Sequence, residues 1–181
     1  MLLVTITSDL GSSDPYLAVI KGSILLSASQ ASIVDISHDI PPFNLVSASY
    51  VFKNAWSAFP PNTVHLLCVH LASEPNTRLL YFHHLNHHFF MPDNGLIRLI
   101  FDEVPEEVYT IPTQQSLSNS YAKLISSSLQ KIASNQPVSE SRTTRFKELI
   151  NRQAQLYPDM IKGHVMYIDH FHNAVTNISK S

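Results

Sequence analysis

An α/β fold with a mostly parallel central sheet is what this sequence predicts, and three observations carry that prediction. The chain opens on an almost unbroken β-branched and apolar run, LLVTIT at 2–7. Strands covered on both faces by helices have this composition, because neither face meets water. Two more such runs, SIVDIS at 32–37 and TVHLLCVH at 63–70, follow it, separated by segments with helical character. The resulting βαβαβ order favours parallel strands with helices on both faces, a three-layer arrangement.

The first strand ends where SDLGSSD at 8–14 turns polar and Gly11 enters. Pro15 suits the first turn of a helix through YLAVIKGSILLSAS, and Asp14 is expected to cap it. Lys21 on that helix has the reach to answer a carboxylate but is expected to be solvated. The second strand closes at HDIPPF, where Pro41 and Pro42 exclude further pairing. A second helix is expected over 45–58. Segments 79–84 and 87–91 form an antiparallel pair around Leu85 and Asn86. The turn MPDNG follows, with Asp93 and Asn94 as turn formers and Gly95 allowing positive φ. Over 121–134, Tyr121, Leu124, Ile125, Leu129 and Ile132 fall near one helical face. A more charged helix is expected over 139–157. Lastly, HVMYID and AVTNIS are two strands flanking HFHN, with too little sequence after them to complete a second sheet. Unpaired strands are a liability unless covered, so a larger protein or an oligomeric partner is expected there.

At 181 residues the chain suits one domain, or one with a small appendage. Its 44% apolar content permits a large core or extensive subunit contact and argues against disorder. Charged residues make up only 14% against a usual ~25%. The net charge of −2 is spread along the chain, and no cluster of Lys and Arg marks a nucleic-acid groove. The single cysteine, Cys68, reads as a small core hydrophobe with no internal disulfide partner. A reducing, cytoplasmic setting is the expectation. The N-terminus lacks a basic n-region and Asp9 interrupts its apolar run, so neither a signal peptide nor a membrane span is expected.

Ligands of open parallel sheets bind beyond the carboxyl ends of the strands. Asp9 lies there after strand one, Asp39 and Phe43 after strand two, and His70 and Ser73 after strand three. A carboxylate so placed can accept both hydroxyls of a vicinal diol such as a ribose, or equally cap the next helix or complete a turn. The run HHLNHH (His83, His84, His87, His88) invites a metal. Adjacent strand residues face opposite ways, however, and zinc needs three or four convergent ligands, so no metal is expected. His83 and His88 can still meet across the turn. His38, His65 and His164 read as structural histidines. The dinucleotide, P-loop and α/β-hydrolase signatures are absent. These residues alone specify a ligand-binding α/β domain.

Taken together, ITSDLGSSDPYLAVIKGSIL, IVDISHDIPPFNLVSASYVF, FPPNTVHLLCVH, MPDNGLI and GHVMYIDHFHNAVTNI resemble, in order, the S-adenosyl-L-methionine hydroxide adenosyltransferases. That family is related to the adenosylmethionine-dependent fluorinases and chlorinases. The resemblance implies an N-terminal α/β domain over 1–158 and the beginning of an incomplete C-terminal β-barrel domain over 159–181. It further implies a homotrimer with adenosylmethionine held between subunits, as substrate and without a separate cofactor. Asp9 matches the aspartate that holds the ribose hydroxyls, and Phe43 an aromatic packed by the ligand. Asp169 and Asn173 match residues gripping the methionine part, with Phe171 beside them. Tyr16 and Ser73 complete the implied substrate-binding set. A carboxylate suits an ammonium, and an aromatic face suits a sulfonium or adenine.

The implied reaction is attack of water or hydroxide on ribose C5′, giving adenosine and methionine. The protein would align the nucleophile behind the C5′–S bond. Relatives place an Asp–Arg–His set beside that water, and this chain departs from it. CVHLASEPNTR puts His70 at the aspartate position, and Arg78 matches only the second of a pair of arginines. The loop TQQSLSNS at 113–120 carries no histidine. His70 and Arg78 are thus the catalytic candidates, His70 because an imidazole suits a general base near neutral pH. The alternative is a non-catalytic adenosyl-ligand-binding or structural oligomeric protein.

Overall fold

The structure, a computed structural model, describes residues 2–71, 77–111, 117–134, 136–138, 141–149 and 153–178, with the backbone alone at 117–120. In chain order the elements are β1 (Leu3–Ser8), α1 (Tyr16–Ser27), β2 (Ser32–Ser37), α2 (Leu45–Lys53) and a 3-10 turn (Trp56–Ala58). Next come β3 (Val64–Cys68), β4 (Leu79–His84), β5 (His87–Pro92), α3 (Leu96–Ile100), β6 (Val108–Ile111) and α4 (Leu117–Ala133). The short strands β7 (Ser141–Thr143), β8 (Gln155–Leu156), β9 (Ile161–Lys162), β10 (Val165–Ile168) and β11 (Ala174–Thr176) complete the order.

Seven strands form one sheet in the order β2-β1-β3-β5-β4-β6-β7. Strands β2, β1, β3 and β5 are parallel, and β4 turns back antiparallel between β5 and β6. Since β7 is antiparallel to β6, only β4 and β7 run against the rest, so the expected mostly parallel sheet is found. Side-chain alternation builds two cores from it. Val4, Ile6, Val64, Leu66, Cys68 and Phe90 pack under α1 and α4, where Tyr121, Ile125 and Leu129 are buried. Leu67, Val69, Leu80, Phe82, Phe89 and Met91 face the opposite way, under Phe52 of α2 and Ile97 and Ile100 of α3. Leu85 and Asn86 both have positive φ (48° and 62°), as a two-residue turn joining β4 to β5 needs.

One polar chain crosses the second core. Thr5 Oγ1 lies 2.7 Å from His65 Nδ1, and His65 Nε2 lies 3.0 Å from His87 Nδ1, across three neighbouring strands. The aromatic rings of Phe52, Trp56 and Phe89 surround His65. Burial, followed by the nearby His87 and His88, pushes the His65 imidazolium down to about 3. His65 is structural, as its sequence context suggests. His38 likewise meets Ser8 Oγ (2.7 Å) and Asp35 Oδ1 (3.0 Å), whereas His164 is exposed.

Four local expectations are corrected. The helix expected over 45–58 stops at Lys53; Asn54 ends it and a separate 3-10 turn follows. The helix expected over 139–157 is absent among the described residues. Residues 141–143 pair with β6 instead, and the Lys147 N–H donates to Asp93 at 2.7 Å. Its few apolar residues are served without a helix: Phe146 packs against the second core while 141–143 gain sheet pairing and Lys147 a buried acceptor. Pro15, not Asp14, occupies the N-cap of α1, with no side-chain capping bond. Lys21 is not solvated alone: its Nζ lies 2.6 Å from Asp35 Oδ2 on the adjacent edge strand.

Beyond the large sheet, β8–β9 and β10–β11 form two separate two-stranded sheets. The β10–β11 hairpin rests on α2, where Tyr167 stacks on Tyr50 at 5.0 Å and Ser47 Oγ donates to Met166 O at 3.5 Å. This matches the expected small C-terminal strand region.

Candidate functional site

Strands β1, β2 and β3 run parallel and deliver their following loops to one edge of the sheet. Asp9 is the first residue past β1. Its Oδ2 accepts the backbone N–H of Phe43, from the loop after β2, at 2.9 Å. The same oxygen accepts the N–H of His70, from the loop after β3, at 3.1 Å. One carboxylate oxygen therefore ties three loops together. Phe43 and His70 both adopt left-handed backbone angles (φ 64° and 53°), unfavourable for residues with a Cβ. The Asp9 bonds help offset that cost. The two rings come to 4.7 Å at 49°, and Phe43 is 64% exposed. Asp9 Oδ1 accepts no hydrogen bond among the described residues. A carboxylate oxygen beside an open two-ring ledge can take a hydroxyl, an amine or a cation.

Neighbouring groups fix this cluster. Asn44, directly after Phe43, caps α2 by accepting the Ser47 N–H at 3.0 Å. The Gly11 N–H, at φ 67°, donates to His38 O at 3.1 Å and closes the β1 loop on the β2 loop. Asn94 Nδ2 donates to Val69 O at 3.0 Å, linking the turn after β5 to the residue preceding His70.

Arg78 lies toward the same edge but is engaged. Its Nε and Nη2 donate to Asp93 Oδ2 at 3.0 and 2.5 Å, and Nη2 also donates to Arg145 O at 2.6 Å. Asp93 is almost fully buried. The guanidinium braces the start of β4 against the end of β5 and the 145–147 segment. Asp93 is the residue that sequence reasoning passed over as a turn former. The hairpin register offered a signal: Leu79 opposes Pro92, which puts residue 78 opposite 93.

Asp169, Phe171 and Asn173 gather at the tip of the β10–β11 hairpin. Asp169 Oδ1 accepts the backbone N–H groups of Phe171 (2.9 Å) and Asn173 (2.8 Å), and Oδ2 accepts Asn173 Nδ2 at 2.9 Å. The Asn173 amide, then its backbone N–H, hold the Asp169 carboxyl below its usual range. Phe171 is 79% exposed. Among the described residues no hydrogen bond or ring contact joins this tip to Asp9, Phe43 or His70. Tyr16 is exposed at the first turn of α1. Ser73 lies outside the described residues, as do 113–116 of the loop expected to carry a histidine in relatives.

Fold and site together define an α/β protein whose strand-end loops gather Asp9, Phe43 and His70 at the carboxyl edge of a mostly parallel sheet. The chain belongs to the SAM hydroxide adenosyltransferase family, whose N-terminal domain matches residues 4–138. It is 26% identical over 191 residues to the (R)-S-adenosyl-L-methionine hydrolase of Methanocaldococcus jannaschii, an alignment covering 98% of this chain and 67% of that protein. A second protein of that name, from Thermus thermophilus, is 37% identical over 62 residues, covering 34% of this chain and 24% of the relative. Among solved structures, an uncharacterized conserved protein from Thermotoga maritima superposes with a TM-score of 0.75 at 23% identity, over 98% of this chain and 71% of the other. A conserved hypothetical protein, also from Thermus thermophilus, gives 0.76 at 24%, over 98% and 73%. Both structural likenesses establish the fold.

Proposed function

We propose that this protein hydrolyses S-adenosyl-L-methionine to adenosine and L-methionine by attack of water or hydroxide at ribose C5′. The observation that carries the reading is Asp9: two loop amides fix one carboxylate oxygen while the other stays open beside the Phe43–His70 rings. Relatives bearing the hydrolase name align with this chain, in one case along nearly its whole length. In this reading Asp9 accepts the ribose hydroxyls, Phe43 packs against the ligand, and His70 takes the proton from the attacking water. Tyr16 and Ser73 complete the substrate-binding set in this reading. Residues 1–158 form the ligand-cradling domain, and 159–181 begin the C-terminal β-barrel domain. Asp169, Phe171 and Asn173 grip the methionine part of a ligand held chiefly by a neighbouring subunit of a homotrimer. The exposed apolar groups of α1 (Tyr16, Val19, Leu26) and of the hairpin (Val165, Ile168, Phe171) support such contacts. Among the described residues, no helix is long and apolar enough to cross a membrane.

Chromatography of a reaction with adenosylmethionine tests this directly. Adenosine should accumulate with the wild-type chain and fall to the uncatalysed level with His70→Ala. Sedimentation should give three times the chain mass. One observation favours a second reading, in which the protein binds an adenosyl ligand without cleaving it. Arg78, the counterpart of an arginine in the related catalytic set, donates through Nε and Nη2 to Asp93 and Arg145. Calorimetric heat with adenosylmethionine and no adenosine formed would select that reading.

A further inference from the structure

A cavity of about 720 Å³ opens at the opposite, amino edge of the sheet, beside the last turn of α4. His88 in its wall pairs with Val64 at the start of β3. His70 comes six residues later, roughly 20 Å along the strands at ~3.3 Å per residue, so the two places are distinct. The volume lies within the ~300–1,000 Å³ of small-molecule clefts. Tyr81, Tyr109, His83, His88, Glu107 and Ile132 line it.

The hairpin register assembles these rings. Tyr81 opposes Tyr109 and His83 opposes His88, all on the α4 face. Tyr81 and His88 lie nearly parallel (16°) at 6.1 Å, and Tyr109 is 6.3 Å from Tyr81. Tyr81 Oη lies 2.9 Å from His88 Nδ1. Burial, aided by Tyr109, drives the Tyr81 phenol up to about 12. Burial, with His83 and His87 nearby, drives His88 down to about 4. At neutral pH the phenol therefore keeps its proton and the imidazole is uncharged. Because the phenol meets no other acceptor among the described residues, we assign its proton to Nδ1, which puts the ring N–H of His88 on Nε2. Glu107 Oε2 accepts from Tyr109 Oη at 2.9 Å, while Oε1 forms an exposed ion pair with Arg142 Nη1 at 3.7 Å, too long for a hydrogen bond. The cavity thus presents flat π faces, one N–H donor and one carboxylate oxygen. Among the described residues no three His, Cys, Asp or Glu side chains converge as a metal would require.

We propose that this cavity is a second binding site, for a planar nitrogen heterocycle carrying an exocyclic amine, of the aminopurine or aminopyrimidine type. The ring stacks on Tyr109 and Tyr81, a ring nitrogen accepts from His88 Nε2–H, and the amine donates to Glu107. This inference is independent of the reaction proposed for the other edge.

Fluorescence titration of the full chain with 2-aminopurine tests it. Saturable quenching is expected, and it should persist in Phe43→Ala, which alters the carboxyl edge. Tyr109→Ala, at a partly exposed position, should weaken binding about tenfold through the lost stack, and Glu107→Gln should weaken it severalfold. Circular dichroism establishes that both variants fold. No saturation up to millimolar 2-aminopurine overturns the proposal. So does quenching lost in Phe43→Ala, or affinity unchanged in both Tyr109→Ala and Glu107→Gln.

Discussion

Asp9 combines a structural and a binding task in one carboxylate, and substitutions can divide them. Asp9→Asn keeps an oxygen for the Phe43 and His70 amides and should fold near wild type. It removes the charge that would hold the ligand, so adenosine formation and adenosylmethionine heat should both be lost. Asp9→Ala leaves two loop amides without their acceptor and should cost a further ~1–3 kcal/mol in a urea melt. Equal stability of the two variants would contradict the three-loop tie. Buried histidines set a pH limit at the same scale. His65 and His88 are neutral in the fold, titrating at about 3 and about 4, against an ordinary 6.5. Below 6.5 the unfolded chain takes up protons that the folded chain refuses, so stability falls as pH drops. The loss levels off near 4 for His88 and near 3 for His65. Each contributes a slope of about 1.4 kcal/mol per pH unit inside its window. Urea midpoints at pH 7, 5.5 and 4.5 should decline in that order; a flat series would show that the imidazoles are solvated.

Among the elements, α2 matters most to the site because its N-cap, Asn44, directly follows Phe43. Asn44→Ala removes the cap on Ser47 N–H and should lower stability by ~1 kcal/mol, read as a shifted thermal midpoint. The β4–β5 hairpin was fully legible, since its turn residues and alternation fix the register. The segment 139–157 was not. Its charged residues fit a helix surface, but no helical rule reveals that Asp93 and β6 offer it partners. Gly95 shows the same dependence. Its φ of 103° was foreseen from the turn, whereas the close approach of the Leu149 side chain comes from a segment 54 positions later.

At the scale of the whole molecule, the sheet separates two edges with different chemistry. The carboxyl edge gathers Asp9, Phe43 and His70, and the amino edge gathers Tyr81, His88 and Tyr109. The β10–β11 hairpin is held against α2 through the Tyr50–Tyr167 stack. Tyr167→Ala should weaken that attachment by ~0.5–1.5 kcal/mol. Hydrogen exchange should then quicken at 165–176 while β1 and β3 stay protected; unchanged exchange would show that the stack does not anchor the hairpin.

The sequence by itself determined the layer order, the parallel strands, the hairpin register and the family. Each of these follows from local periodicity, turn chemistry or contiguous motifs. It also marked Asp9, Phe43 and His70 as separate strand-end positions. Only the tertiary structure decided that one oxygen of Asp9 joins all three, because the two contacts reach 34 and 61 positions further along the chain. It likewise decided that Arg78 is spent on Asp93 and Arg145, and that Asp169 is held by its own hairpin. Local pattern fixes which groups reach an edge of the sheet. Which partner each group takes there depends on the packing of segments far apart in the chain.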